Sequence, residues 1–317
     1  MIRKHKKLIL LIFFIGLLLR IFFCFSPYFS YDEIEFFNFD LSISNQRPPF
    51  IFSFSTFFQN KIIARILLTI LSTTTLLLIS PISRKILNDK MMPFLFLIFN
   101  PLHIRLSSMY LTDAVFFSFV VIFFYCYINR KYKLLPIISF TSTTIRYEGL
   151  ILIIISMIYF YLKKIKRQFV FSLFISIFIL PLILRGVNLY QVSHKIDNPE
   201  ASYYYYLFTP FLITGFFAPF ALISLLKNYK LDLILFLIFM SFSFFYFIFK
   251  IGSTFADRFR YVLPTLLPSS IYISKYFENK KSYFYVILIL NLVFLIYLWE
   301  YRIFRESVKY LIQKILF

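Results

Sequence analysis

The sequence predicts an all-α, polytopic membrane protein, and three observations carry that expectation. Hydrophobic residues make up 60% of the 317 positions, with 47 Phe, 24 Tyr and only five Gly, more apolar surface than a water-soluble domain of this size needs. The apolar residues fall in long runs separated by basic ones. Nineteen of the 34 Lys and Arg lie in six short clusters, Arg3 to Lys7, Arg84 to Lys90, Arg130 to Lys133, Lys163 to Arg167, Lys227 to Lys230 and Lys275 to Lys281. The positive-inside rule assigns all six to the cytoplasm. The alternating loops then hold 11 of the 14 acids, leaving Asp89, Asp232 and Glu278 inside. A net charge of +20 would point a soluble protein toward nucleic acid. Here the cations are topology signals facing anionic lipid, so membrane lipids and not nucleic acid are the expected partners.

About 20 apolar residues cross a bilayer, and half-length runs can pair across a polar hinge. On that basis the chain reads as about eleven spans: 8–25, 62–82, 91–105, 112–129, 134–146, 149–162, 169–185, 207–226, 232–250, 261–275 and 283–299. The third, fifth and sixth are short. The first follows a basic N-terminus as a signal peptide would, but Arg20 interrupts it and no small-x-small site follows, the first alanine being Ala64. A retained anchor with a cytoplasmic N-terminus is expected. Cys24 and Cys126 fall near opposite membrane faces, too far apart for a disulfide. Residues 1–317 read as one transmembrane domain with no internal repeat and no soluble domain at either end. Residues 300–317 carry an apolar stripe of Phe304, Val308, Leu311, Ile312 and Ile315, expected to lie at the interface as a helix.

Ionisable groups in a membrane protein are expensive, so their location is informative. Here the span centres are nearly free of charge, and Asp, Arg and His gather at the ends opposite the basic clusters. The first outer loop opens with Tyr31, Asp32 and Glu33 and later holds Arg47 before Pro48 and Pro49. Between them, Ile34, Phe37 and Leu41 give Glu33 to Ser42 the pattern of a short amphipathic juxtamembrane helix. Adjacent carboxylates suit a general base beside a second acid, because repulsion and partial desolvation keep their pKa values apart. The bland alternative is a solvated acidic loop.

The next outer turn carries His103, Arg105 and Asp113 after Asn100 and Pro101. Arg105 and Asp113 read either as a simple ion pair or as substrate contacts, and His103 as a structural histidine, with a metal ligand as the alternative. Thr144 to Gly149 place Arg146, Tyr147 and Glu148 in a charged hinge, costly in a membrane unless it lines water or a ligand. Gly149 is expected to permit the reversal. Tyr203 to Tyr206 read as an interfacial aromatic belt, with sugar stacking as the alternative. Asp257, Arg258, Arg260 and Tyr261 precede the tenth span. Its two arginines suit a phosphate, since guanidinium bonds bidentately and stays charged; snorkelling is the competing reading.

In order, Arg20, Asp32-Glu33, Pro48-Pro49, Asn100-Pro101, Asp113, Arg146-Tyr147-Glu148-Gly149 and Arg260-Tyr261 with Pro264 and Pro268 resemble the GT-C superfamily of membrane glycosyltransferases. Within it the pattern is most similar to the dolichyl-phosphate-mannose protein mannosyltransferase and aminoarabinose-transferase group. The resemblance implies a GT-C-like fold and a hexosyl transfer, with inversion, from a polyprenyl- or dolichyl-phosphate-linked sugar to a glycan, lipid or protein acceptor on the extracytoplasmic face. It implies Asp32 as general base and Glu33 as a residue positioning the acceptor or a metal. Arg47, Arg105, Asp113, Arg146, Glu148, Arg258, Arg260 and Tyr261 are the expected substrate-binding residues. A divalent cation, Mg²⁺ or Mn²⁺, would fit the acidic pair, which alone supplies too few ligands to specify an ion.

The chain departs from the family in a short first loop and in Arg47 where His is expected. Its sole Trp, Trp299, leaves out the Trp-Trp-Asp motif of oligosaccharyltransferases. The alternatives are a lipid-linked sugar flippase or other transporter, and a noncatalytic membrane subunit.

Overall fold

The computed structural model describes residues 2–26, 60–87, 91–109, 111–178, 203–249 and 260–299. Among these residues every regular element is helical. Asp32, Glu33, Arg47 and Arg258, together with the expected juxtamembrane and C-terminal interfacial helices, lie outside the described residues.

Helix α1 spans Ile2–Cys24; α2, Lys61–Thr75, runs through a 3₁₀ turn into α3, Ile79–Ile86. Next come α4, Met92–Ile98; α5, Pro101–Ser107; α6, Thr112–Ile128; α7, Leu135–Ile145; and α8, Leu150–Leu162. Residues 166–178 form α9. The rest are α10, Tyr203–Leu212; α11, Ala218–Asn228; α12, Leu233–Phe249; α13, Leu266–Tyr276; and α14, Lys281–Trp299.

Lys7–Cys24 and Lys61–Ile86 are each long and apolar enough to cross a bilayer, and the bent pair α5 and α6 makes a third if counted as one span. Large apolar side chains remain uncovered along whole faces: Leu11, Phe14 and Leu18 on α1, Phe174, Ile177 and Phe178 on α9, and Val286, Ile289 and Val293 on α14. Their helical spacing makes continuous stripes, as expected of surfaces that meet lipid rather than water.

At the centre lies α6, which packs on α2, α3, α5 and α7. Val115, Phe116, Phe117, Val120, Val121, Phe123 and Phe124 are buried, and a helix apolar on all sides belongs in such a position. The sequence-predicted span 91–105 is instead two short helices. Phe99 leaves helical geometry, and the Asn100 side chain caps α5 by accepting from the His103 amide at 3.0 Å, with Pro101 at the first helical position. Asn and Pro in that order are a strong local start signal. The Asn100 amide also donates to the Ile213 carbonyl at 3.3 Å, tying this break to another between α10 and α11.

That second break depends on Gly215, whose φ is +62°. Asn291, buried on α14, accepts from the Phe216 amide at 3.0 Å, and a side chain at 215 would collide with the Asn291 oxygen.

The basic clusters converge at one end of the bundle. Lys85 donates to Asn129 at 2.8 Å, Tyr127 to Asp232 at 3.3 Å, and Tyr159 to Tyr132 at 3.0 Å. Helices α6 and α8 terminate there in the same way. Arg130 (φ 57°) and Lys164 (φ 55°) adopt the left-handed conformation, with Lys131 N–H bonding Cys126 at 2.8 Å and Ile165 N–H bonding Phe160 at 2.8 Å, the paired closure of a Schellman motif. Cys24 and Cys126 are buried thiols that form no disulfide.

Asn291→Leu removes the side-chain acceptor of the Phe216 N–H at this break. The expected loss is about 1–3 kcal/mol of stability, read as a lower unfolding temperature in detergent; Leu290→Ala on the exposed face of the same helix is the control expected to change little.

Candidate functional site

Away from the basic end, three segments distant in sequence meet in one buried ionic cluster. The first is the start of α6, where Asp113 occupies the first turn. The second is the reversal between α7 and α8. Arg146 ends α7 in extended geometry (φ −146°, ψ 139°), and Tyr147–Gly149 form a single 3₁₀ turn. The third is residues 260–261, before the 3₁₀ turn that opens α13.

Gly149 is required for a different reason from the one its sequence context implies. Its φ of −57° and ψ of −23° are ordinary right-handed values, so the turn makes no special conformational demand. A Cβ at 149 would instead run into the last turn of α7, meeting Ser142 C at 2.5 Å and Ser142 Oγ at 2.6 Å. The absent side chain lets the turn fold directly onto that helix end.

Asp113 is gripped from two sides. Arg146 Nη1 pairs with its Oδ1, and Arg260 donates to Oδ2 through Nε at 3.1 Å and Nη2 at 3.0 Å. Arg146 also engages Glu148: Nη2 donates to Oε1 at 2.7 Å, and Nε lies 3.2 Å from both carboxylate oxygens. The Tyr261 ring lies under the Arg146 guanidinium at 4.9 Å, a cation–π contact. Among the described residues, two arginines and two acids balance in charge.

Its layering is uneven: the Asp113 side chain is 0% exposed and Glu148 4%, while Arg146 is 10% and Arg260 14% exposed. Among the described residues the carboxylates are thus the more deeply covered pair and the guanidiniums the less covered one. Asp113 is a buried bridge between the two arginines. It pairs with Arg146 and Arg260, not in the simple bridge with Arg105 that the sequence allowed. Arg105 lies half-buried on α5.

A second polar network braces the first. Arg20 on α1 is wholly buried. It donates to the carbonyls of Ile98 at 2.7 Å, Leu97 at 3.4 Å and Gly16 at 2.9 Å, to Ser107 Oγ at 3.1 Å, and to His103 Nδ1 at 3.0 Å. It thereby closes the C-terminus of α4 and ties α1 to α5. Arg65 does the same for α1, donating to Cys24 O at 3.2 Å and Ser26 O at 2.8 Å. Thr69 completes the link, donating to the Ser107 carbonyl at 2.6 Å. Sequence reasoning passed over Arg65, whose signal was a cation four residues inside an apolar helix. His103 belongs to this network through Nδ1; among the described residues no three His, Cys, Asp or Glu side chains gather as metal ligands.

No protein-family model, curated protein or solved structure matches the chain.

Because Asp113 answers two guanidiniums while Glu148 answers one, their removal should differ in cost. Asp113→Ala leaves both arginines short of a counter-charge and is expected to destabilise by about 3–5 kcal/mol. Glu148→Gln keeps an acceptor oxygen and is expected to lose less than half as much. Unfolding temperatures of the two variants in the same detergent check the order.

Proposed function

We propose that this chain is a membrane glycosyltransferase that moves a hexose from a polyprenyl- or dolichyl-phosphate carrier to an acceptor hydroxyl on the extracytoplasmic face. The observation that carries the reading is the convergence of Asp113, Arg146 and Arg260, separated by 33 and 147 positions. These residues come from three of the motifs on which the resemblance to GT-C enzymes rests, and they supply guanidinium donors suited to a phosphate.

Helix lengths support a lipid-borne substrate. From Asp113 to the basic end at Asn129, α6 rises about 24 Å, and α7 with its flanks rises about 20 Å from Lys133 to Arg146. A bilayer core is about 30 Å thick, and tilt only shortens the reach. Counted from the cytoplasmic boundary, the cluster sits below the far surface, at a depth that a lipid phosphate drawn slightly inward can reach. The eleven-span topology fits this arrangement, with α7 and α8 as a short hairpin whose tip is the charged turn.

In the reaction, the acceptor oxygen attacks the anomeric carbon from the face opposite the phosphate and its proton passes to Asp32. The bond from that carbon to the phosphate oxygen breaks, and the polyprenyl phosphate leaves with the bonding pair, its charge met by Arg146 and Arg260. Inversion follows from the single displacement. Glu33 positions the acceptor, and a divalent cation at the acidic pair would add electrostatic stabilisation.

Transport of a lipid-linked sugar is the second reading, favoured by the breaks at Asn100 and Gly215, since interrupted helices also build transporter sites. Proteoliposomes distinguish the two. A transferase consumes a polyprenyl-phosphate-sugar only when an acceptor is supplied, whereas a flippase moves the donor across the bilayer without one.

In the transfer assay Asp32→Asn is expected to lose about 10² to 10⁴ in turnover while the protein still inserts, and Glu35→Gln from the same loop to be nearly silent. Equal losses from both would remove Asp32 as a specific base. Topology is checked separately: with an impermeant thiol reagent on intact cells, cysteines introduced beside Asp32, Arg146 and Asp257 are expected to react and those beside Lys131 and Lys164 to stay unlabelled. The reverse pattern rejects an extracytoplasmic site.

A further inference from the structure

We infer that Glu148 is a built-in counter-anion that occupies the place of the donor phosphate on Arg146 until the donor arrives. This rests on the reading of Arg146 and Arg260 as a phosphate site. The two carboxylates of the cluster are held very differently. Asp113 joins α6 to two other segments through separate arginines, so releasing it would undo links between elements. Glu148 is two residues from Arg146 on the same turn, and among the described residues its carboxylate bonds only to that guanidinium. Releasing it breaks no contact between helices.

The edge it fills is also the one a phosphate would use. The Nε and Nη2 donors of Arg146 present the fork that binds a carboxylate or a phosphate with two parallel bonds, and Glu148 spans both. The remaining terminal nitrogen, Nη1, is engaged by Asp113. Bidentate binding of a phosphate to Arg146 therefore requires Glu148 to give way. The exchange keeps the guanidinium paired at each stage, which matters because an unpaired charge in an apolar bundle is strongly destabilising.

Glu148 thus lowers donor affinity in the resting protein, the opposite of a substrate-binding role. When the leaving polyprenyl phosphate must depart, the same carboxylate returns to the fork and displaces it.

The test measures binding of farnesyl phosphate and of inorganic phosphate to the full-length protein in nanodiscs by calorimetry. Glu148→Gln removes the competing charge. Glu148→Asp keeps the charge but withdraws it by about 1.5 Å, one carbon–carbon bond. Both are expected to bind farnesyl phosphate more tightly, Glu148→Gln by about tenfold, since a form with a free fork would no longer be the minor one. Arg260→Ala is expected to bind it more weakly. A matching gain for inorganic phosphate would show that the phosphate group alone suffices; a gain confined to farnesyl phosphate would show that the chain must also be seated.

Weaker or unchanged binding in Glu148→Gln, with Arg260→Ala still impaired, overturns the counter-anion role and leaves the phosphate site standing. If wild type does not bind farnesyl phosphate, or Arg260→Ala binds it as wild type does, the phosphate reading itself falls. Failure of both Glu148 variants to fold would make Glu148 a structural partner and also overturn the inference.

Discussion

The constraint on which this structure depends is that a guanidinium cannot be left without acceptors inside an apolar bundle. Arginine stays protonated in a protein, so it cannot escape by losing its charge. Four arginines are drawn inward among the described residues, and the chain satisfies them in two ways. Arg20 and Arg65 take backbone carbonyls, with hydroxyl and imidazole acceptors added for Arg20. Arg146 and Arg260 take carboxylates. Carbonyl partners spread the charge over neutral dipoles and lock elements together, whereas carboxylate partners form ion pairs that another anion can enter. The first solution serves architecture, and the second leaves chemistry open.

Apart from the Gly16 carbonyl inside α1, the carbonyls these arginines use lie where helices stop, so the first solution goes with short helices. An unbroken helix commits its carbonyls to internal bonds, and only its last turn leaves them without an intrahelical partner. Arg20 reads the end of α4 and Arg65 the end of α1. Asn100 and Asn291 perform the related task at the two interruptions, meeting a carbonyl and an amide that the breaks leave open. The interruptions are joined to one another through Asn100 and Ile213, so they brace the bundle at the points where it would otherwise be weakest. This is the condition under which irregular backbone is tolerated at membrane depth.

Much of this was legible in the sequence, and the limits have physical causes. The basic clusters marked one end of the bundle because their function is a property of charge alone. Asp113, Arg146, Glu148 and Arg260 stood out because ionisable groups beside apolar runs are rare. Their mutual contact was hidden, since nothing local relates position 113 to position 260. Gly149 was singled out for backbone freedom, but what matters is a steric approach of two segments, and the sequence contains no sign of that distance. The division of 91–105 into two helices was signalled by Asn100 and Pro101, yet hydropathy outweighed the cap because it averages over a window longer than either half. Arg65 lay close enough to the start of α2 to read as a flanking charge.

Under the proposed function, the charge count of the cluster among the described residues suits a binding site better than a simple brace. A brace among three segments would be complete with Asp113 and its two arginines, which already link all three. Glu148 adds nothing to that linkage, because its partner lies on its own turn. What it adds among the described residues is charge balance: without it the three bridging groups there carry one net positive charge, a costly state in an apolar setting. A positive excess that needs covering at rest, and is covered by a locally tethered carboxylate, is the arrangement expected where an external anion will take that carboxylate's place. Under the proposed function, the phosphate of a lipid carrier is such an anion, and Arg146 and Arg260 are the groups that would meet it.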